Sequence, residues 1–445
     1  MKIAAHTLGC KLNYAETSHL LRQLAESGHT IVDFHSEADL YIINTCTVTA
    51  IAERKCRNAI RQAVRQNPQA QVAVIGCFAQ NEHDKVASIP GVTIVLGNDQ
   101  KHQLERYIND NELLRLRRAK NKLVCFSEPK QNDSRREANL NINGRWDFAG
   151  AWSSAGRTRA FVKIQDGCDY FCSYCAIPIA RGRSRSATTE EVVKMVNECA
   201  RSGAKEVVLT GVNTGTFGLH TGERFIDLLK RLDDIEPIAR YRISSIEPNL
   251  ITDEIIDFTA RSRAFLPHFH IPLQAGSDNV LKLMRRHYDT ALYREKTEYI
   301  KSVMPDACIA ADIIAGCNGE SDEDFEATKE FVESLPISYL HVFTYSERPH
   351  TAALKIEPHT DMHLRRLRSQ ELHAISERKL AAFNESQMGK ARPVLWESDN
   401  HDGMMHGLTD NYIRLERPFD PTYTNSITTE TITAENIVRN VMSDD

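Results

Sequence analysis

The 445-residue chain reads as an α/β protein in three parts: an N-terminal parallel-sheet α/β domain, a central partial barrel of six β/α units, and a C-terminal small all-β barrel. Three observations carry this. Short apolar runs alternate with helical periodicity from residue 2 to about 98. The alternation restarts at Arg159 and repeats strand then helix, as a parallel sheet requires. After Gly389 it gives way to short alternating runs broken by Gly, Asn, Asp and Pro. The expected division is 1–126, a linker over 127–153, a barrel over 154–386 and a small domain over 387–445.

In the first domain, Lys2–Leu8, Asp39–Thr45, Gln71–Ile75 and Val92–Leu96 are predicted strands, with helices over Asn13–Ser27 and Thr49–Gln66. Ala52, Cys56, Ala59, Ile60, Ala63 and Val64 recur at helical spacing, and Asn67-Pro68 ends that helix. Residues 99–122 continue as a helix with a basic end, Arg115, Arg117, Arg118, Lys120 and Lys122. Polar sequence from Ser127 to Gly144 reads as linker.

The barrel strands are predicted at Ala160–Ile164, Glu206–Thr210, Tyr241–Ser245, Phe269–Leu273, Ile309–Ile314 and Leu340–Tyr345. Helices fall at Thr189–Ser202, Arg224–Leu232, Asp253–Arg261, Tyr293–Val303 and Asp322–Glu333. Functional loops in such a body lie at the C-terminal ends of the strands. A long helix over His363–Ser386 leads out to strands at Arg392–Trp396, Gly403–Leu408, Tyr412–Leu415 and Ser426–Thr433, a compact barrel.

Composition bounds the function. The content is 41% hydrophobic and 26% charged, ordinary for a soluble globular chain. No apolar run approaches the roughly 20 residues of a membrane span, and the opening MKIAAHTLGCKLN lacks a signal-peptide core. Cytoplasmic residence is expected. The formal charge of -5 excludes a global attraction to nucleic acid and leaves local patches. Eleven cysteines are too sparse for a disulfide scaffold and read as metal ligands or catalytic groups.

Two cysteine sets carry the chemistry. In FVKIQDGCDYFCSYCAIP, Cys168, Cys172 and Cys175 follow the first barrel strand. Their spacing lets three thiolates hold three irons of a cubane and leaves the fourth open. A structural zinc site would want a fourth protein ligand, and none is nearby. Cys10, Cys46 and Cys77 each end a strand-like run, in TLGCKLN, YIINTCTVT and VAVIGCFAQ. Parallel strands would deliver all three to one sheet edge, as a joint metal site or as separate, nearly buried thiols. Cys56 and Cys199 sit on helical faces and read as core. Cys125, Cys308 and Cys317 lack partners at a diagnostic spacing.

Candidate RNA contacts are Arg181, Arg183 and Arg185 in ARGRSRS, the basic run 115–122, and Arg392, Trp396, Tyr412, Arg414 and Arg417 in the last module. Guanidinium groups meet phosphates and aromatics stack on bases; solvated or core positions are the alternative for each.

The first cysteine motif resembles that of the radical S-adenosylmethionine superfamily. The resemblance implies that the open iron binds the methionine amino and carboxylate groups, and that one-electron cleavage gives a 5′-deoxyadenosyl radical. Leu209-Thr210-Gly211-Val212-Asn213 is similar to the family's methionine-recognition segment, which marks Gly211 and Asn213. Ser245 and Glu247 in ISSIEP, and Gln274 in HIPLQAGS, match further cofactor positions. With both cysteine sets in view, nearly the whole chain resembles the radical methylthiotransferases. TLGCKLN resembles the opening of the branch acting on threonylcarbamoyladenosine, the MtaB type. The isopentenyladenosine branch usually has Gln-Met-Asn in that segment, and the ribosomal-protein branch Pro-Lys-Asn.

The resemblance implies two 4Fe–4S clusters, an auxiliary one on Cys10, Cys46 and Cys77 and a radical-generating one on Cys168, Cys172 and Cys175. It implies a TRAM-like RNA-binding barrel at the C-terminus and a tRNA anticodon stem-loop as partner. A reductant such as a flavodoxin or ferredoxin is expected, with a sulfur donor that the sequence does not name. The implied reaction places a methylthio group on C2 of N6-threonylcarbamoyladenosine at position 37. That C–H bond is unactivated, so cofactor-derived radical chemistry suits it. The alternatives are an isopentenyladenosine or ribosomal-protein aspartate substrate, or an iron–sulfur RNA-binding or electron-transfer protein without group transfer. Departures occur at Ala315–Glu320, where relatives commonly show Gly-Phe-Pro-Gly-Glu, and at Thr344 and His350, which replace a frequent Pro and Gly.

Overall fold

Parallel pairing organises the first domain. In the computed structural model, which describes residues 1–109, 122–125, 148–153 and 158–438, its sheet has six strands in the order β2-β1-β3-β4-β5-β6. They are β1 (Lys2–Thr7), β2 (Thr30–Val32), β3 (Leu40–Thr45), β4 (Gln71–Gly76), β5 (Ile94–Leu96) and β6 (Leu123–Cys125), and every pair is parallel. The outermost strands, β2 and β6, are three residues each, too short to betray a period, and the sequence reading passed over both. β3 and β4 are buried at every position, which is why they read as unbroken apolar runs. The basic run Arg115–Lys120 and the polar stretch Ser127–Gly144 lie outside the described residues.

The helix Lys11–Glu26 covers one face of this sheet and also reaches the barrel. Its Tyr14 and Ala15 pack with Phe161 and Val208, and the Tyr14 and Phe161 rings meet edge-on at 5.9 Å. The helix Ala50–Gln66 starts where the Thr49 hydroxyl accepts the amide of Ala52, with Glu53 in the first turn.

A short strand β7 (Ala151–Trp152) runs antiparallel to β8 (Arg159–Lys163) at the barrel edge. Beyond β8, the pair β9 (Gln165–Asp166) and β10 (Arg185–Ser186) brackets the first cysteine loop. Then β8 pairs with β11 (Glu206–Thr210), and β11 with β12 (Arg240–Ile243), all parallel. A second parallel group follows: β13 (His268–His270), β14 (Cys308–Ala315) and β15 (Tyr339–Thr344). A parallel bridge between Tyr241 and Phe265 links the two groups into a partial barrel. Strand alternation sends Ala160, Val162, Val207, Leu209, Ile309 and Ile313 outward into the main core. The other face, with Lys163, Arg242, His270 and Asp312, is left to line the lumen.

The last module is an antiparallel sheet in the order β18-β17-β16-β19. Its strands are β16 (Ala391–Trp396), β17 (Met404–Thr409), β18 (Arg414–Pro418) and β19 (Ile427–Thr431). A bridge from Leu415 to Ile437 curls it closed, so it is a small barrel, as expected. It plugs the N-terminal end of the larger barrel. Arg242 donates to the carbonyls of Thr409 (2.7 Å) and Asp410 (2.9 Å), and Arg240 to that of Leu408 (3.1 Å). Glu206, fully buried between these two guanidiniums, neutralises part of their charge. The Tyr412 ring stacks on His268 at 4.2 Å, so it is part of this joint. Trp396 is 1% exposed and belongs to the module's core.

Candidate active site

Cys10, Cys46 and Cys77 follow β1, β3 and β4, three adjacent parallel strands, and so come together at one sheet edge. The approach is close: a Cβ on Gly9, whose φ is +105°, would lie 2.8 Å from the Cβ of Cys46. Asn13 ties the two loops by donating to the carbonyls of Leu8 (2.9 Å) and Thr45 (3.2 Å). Burial pushes the Cys46 thiol up to about 12, and the neighbouring sulfurs of Cys77 and Cys10 add to the rise. The Asn98 amide donates to the Cys77 sulfur at 3.5 Å.

Behind this trio lies a buried ionic network joining the two large domains. Glu16 pairs with Lys101 (2.5 Å), Lys163 (2.8 Å) and Arg181 (3.2 Å). Asp166 pairs with Lys163 (2.7 Å), Arg181 (2.9 Å) and Arg185 (2.8 Å). Four cations thus face two carboxylates with almost no solvent. Burial works against the Arg181 charge, but Glu16, Cys77, Asp166 and Cys10 together raise its affinity for the proton. Surplus buried positive charge needs an anion. An iron–sulfur cluster held by three thiolates at Cys10, Cys46 and Cys77 fits that need.

The second trio sits on the loop after β8. Gly167, at φ +70°, lets that loop fold back: a Cβ there would strike the Arg183 carbonyl at 2.1 Å. Burial pushes the Cys168 and Cys175 thiols up to about 12. Cys172 and Cys168 both act on Cys175, so the three thiols share one locus. Each sulfur also receives a donor: the Tyr170 amide to Cys168 (3.5 Å), the Ile177 amide to Cys175 (3.4 Å) and Arg286 to Cys172 (3.0 Å).

A cavity of about 290 Å³ opens against these three cysteines. Asn213, Ser245, Glu247 and Gln274 line it, and so do Val48 and Thr49, which follow Cys46 by two and three residues. The second cysteine set and the segment that follows Cys46 therefore share one space. The Asn213 amide is buried, with no well-formed hydrogen bond at either its oxygen or its nitrogen. Gln274 holds a left-handed backbone at φ +67°, rare for a residue with a side chain. A buried amide without a well-formed hydrogen bond and a left-handed turn, among a few polar groups in a largely apolar cavity, fit an amino-acid-bearing cofactor such as S-adenosylmethionine. Gly211 stands outside the lining; its lack of a Cβ lets Gln165 Oε1 take the amides of Val212 and Asn213, both at 2.9 Å.

Several of these residues escaped the sequence reading. Arg286 links Cys172 to Glu247, with which it forms a short ion pair, and reaches the Tyr288 hydroxyl at 3.1 Å. Burial raises the Glu247 carboxyl, and Arg286 opposes the rise. Arg286 is 114 residues from Cys172 in a run, MRRHY, that has no spacing signal. Glu16, Lys163 and Asp312 were passed over for the same reason. Cys56, Cys199 and Cys317 are buried in cores.

The arginine expectations need correction. Arg181 is 1% exposed and Arg185 only 9%, both within the ionic network, so neither offers a surface to RNA. Arg183 is exposed, 3.6 Å from Asp169, with its guanidinium 4.6 Å over the exposed ring of Phe171. Arg392 binds Asp306 (2.6 Å) and Asp410 (3.2 Å) at the joint between barrel and last module, a structural post. Arg414 keeps about a quarter of its side chain in solvent, 3.8 Å from Asp399. Arg417 lies 3.6 Å over Tyr423.

Comparison with known proteins agrees with this geometry. The model of Uncharacterized protein family UPF0004 matches residues 2–97, and that of the Radical SAM superfamily matches residues 162–332. Threonylcarbamoyladenosine tRNA methylthiotransferase MtaB of Bacillus subtilis is 36% identical over 427 residues, covering 93% of this chain and 89% of the relative. Its namesake from Aquifex aeolicus is 36% identical, covering 94% and 97%. The chain belongs to the MtaB-type tRNA methylthiotransferase family. Membership brings S-adenosylmethionine and two iron–sulfur clusters as its cofactors and makes the chain a radical enzyme. A sister enzyme, tRNA-2-methylthio-N(6)-dimethylallyladenosine synthase of Wolinella succinogenes, is 32% identical, covering 92% and 91%. Among solved structures, the radical S-adenosylmethionine methyltransferase TsrM of Kitasatospora setae shares the fold, with a TM-score of 0.53 at 14% identity over 79% of this chain and 73% of that one. Among the described residues, no helix is long and apolar enough to cross a membrane.

Proposed function

We propose that the chain converts N6-threonylcarbamoyladenosine at position 37 of tRNA to its 2-methylthio derivative. The observation that carries this is the shared cavity, with Cys168, Cys172 and Cys175 on one wall and the segment after Cys46 on another. Adenine C2 has no polar handle, so the chemistry must come from groups that both trios hold. When bound, the cofactors supply a deoxyadenosyl radical from the barrel cluster and sulfur from the auxiliary one. Cys10, Cys46 and Cys77 would hold the auxiliary cluster, and Cys168, Cys172 and Cys175 the other.

The chain's own residues bind and orient. Asn213, Ser245, Glu247 and Gln274 take the cofactor's amino acid and ribose, while Gly211 shapes their loop. Arg286 fixes Glu247 beside Cys172. Glu16, Arg181 and Asp166 lock the first domain over the barrel mouth. Arg183, exposed, and Arg414, half-buried, meet RNA phosphates. The working division is 1–126, 127–153, 154–386 and 387–445. A flavodoxin or ferredoxin supplies electrons, and the protein works in the cytoplasm.

The test is nucleoside mass spectrometry of tRNA from cells lacking the protein and from complemented cells. The 2-methylthio nucleoside should appear only on complementation and vanish in Cys10→Ala and Cys168→Ala variants. Methylthiolation of isopentenyladenosine or of a ribosomal aspartate in its place would overturn the substrate.

A further inference from the structure

The barrel lumen holds a polar cluster that the cofactor site leaves unused. His270 on β13, Asp312 on β14 and His341 on β15 stand side by side on three adjacent strands. Asp312 and His341 are register partners, and His270 Nε2 lies 2.7 Å from Asp312 Oδ1. The two imidazole centres are 5.1 Å apart. Asp312 lines the cavity beside Ile314 and Phe343, so through Asp312 the cluster reaches the space that Cys168, Cys172 and Cys175 line.

The opposite wall comes from the first domain. Tyr14 and Ala15 pack against Phe161 and Val208, which alternate with the outward residues of β8 and β11 and so face the lumen. Lys11 precedes Tyr14 by three residues and Ala15 by four, so it shares their helical face, and its charge acts on both Asp312 and His268. Asp312 registers that charge: burial would raise its carboxyl, but His270, His341 and Lys11 together hold it below its usual range.

We propose that Lys11, His270, Asp312 and His341 form the subsite for the substituent on N6 of the target adenine, and that they select an anionic, hydroxyl-bearing one. This rests on the substrate reading above. Lys11 pairs with the substituent's carboxylate. Asp312, kept ionised by His270, accepts from its hydroxyl or ureido N–H, and His341 closes the far side. An apolar substituent of the same length would leave the Lys11 ammonium desolvated with no carboxylate from the substrate, so rejection is built in. The two imidazoles and the carboxylate bring ligand atoms within 4.8 Å of one another, a spacing that a divalent metal could also use. The Lys11 ammonium, whose charge acts on Asp312, opposes a cation and favours an anion.

The experiment measures binding of anticodon stem-loop RNAs to the full-length, cluster-loaded enzyme. Three RNAs carry N6-threonylcarbamoyladenosine, its carboxylate methyl ester, or N6-isopentenyladenosine at position 37. The wild type should bind the acid about tenfold to a hundredfold more tightly than the ester, the range of a charge-assisted hydrogen bond. Lys11→Gln should bind acid and ester alike, and Lys11→Arg should restore the preference. His341→Phe, on the far wall from Cys10, should weaken the acid RNA and spare the isopentenyl RNA; it decides the matter if Lys11→Gln fails to load iron. Equal binding of acid and ester by the wild type, or an undiminished preference in both variants, overturns the subsite. So does one Co²⁺ per chain taken up by cluster-free protein and lost in His341→Phe. If the wild type prefers the acid but never methylthiolates it, the substrate reading fails and the subsite stands.

Discussion

Glu16 and Arg181 are 165 positions apart in the chain, yet their side chains meet at 3.2 Å, each 1–2% exposed, across the joint between the first domain and the barrel. Removing one member of such a pair strands the others. Glu16→Gln should destabilise the protein by about 3–5 kcal/mol, because Lys101 then loses its carboxylate partner and Lys163, Arg181 and Arg185 are left to share Asp166. Chemical unfolding of the cluster-free protein measures it.

The pH dependence of that difference has a definite sign. Burial alone would raise the Glu16 carboxyl, but Arg181, Lys101 and Lys163 outweigh it and hold the group well below its ordinary 4.5. A lowered carboxyl contributes its full stability above the unfolded value and loses it as pH falls through the folded one. The gap between wild type and Glu16→Gln should therefore be flat from pH 8 to about 5 and narrow below about 4. A gap that widens in acid would contradict the network.

Arg286 offers a redox test. A cationic donor on a cluster thiolate favours the reduced state, so Arg286→Met should make the potential of the cluster on Cys168, Cys172 and Cys175 more negative. On the order of 60 mV corresponds to a tenfold change for one electron. Titration of a variant lacking Cys10, Cys46 and Cys77 isolates that cluster. Loss of the ion pair to Glu247 should also weaken cofactor binding, read as a raised Kd for S-adenosylmethionine.

How far the sequence reaches is clear from particular elements. Glu206–Thr210 and Asp253–Arg261 lie where periodicity placed them, because tertiary contacts there agree with local pattern. The cysteine trios were legible because ligand spacing and strand ends are local features. Arg181 was not. A guanidinium reads the same on paper whether it faces phosphate or a buried carboxylate, and the partner, Glu16, lies in another domain. Arg286, His270 and Asp312 share that difficulty: their meaning arises only when distant strands and loops close around one cavity. Trp396 and Tyr412 show the converse, since a β-strand's aromatic can be core or stacking surface with equal alternation.

Gln274 sets stability against function. Its left-handed backbone disfavours any side chain by roughly 1–2 kcal/mol, and the residue lines the cofactor cavity. Gln274→Gly should raise stability by on the order of 1 kcal/mol while weakening S-adenosylmethionine binding. Thermal unfolding and equilibrium dialysis on the same variant check both. A variant less stable than the parent would show that the turn depends on the side chain.

The arginines separate by what they touch. Arg183, exposed, and Arg414, half-buried, each lie near one carboxylate, Asp169 at 3.6 Å and Asp399 at 3.8 Å, whereas Arg392 is held by both Asp306 and Asp410. Arg183→Ala should weaken tRNA binding and reduce the dependence of log K on log salt by about 0.7–0.9 for one lost phosphate contact, with stability nearly unchanged. Arg392→Ala should do the reverse, removing the guanidinium that bridges Asp306 and Asp410 at the barrel joint and lowering the unfolding midpoint without a change in salt slope. A cation held between two carboxylates releases no counterions when RNA arrives, whereas Arg183, exposed and 3.6 Å from the single carboxylate of Asp169, can exchange it for a phosphate. A salt slope that falls in Arg392→Ala and holds in Arg183→Ala would move the RNA path away from the cysteine loop and onto the small barrel's inner edge.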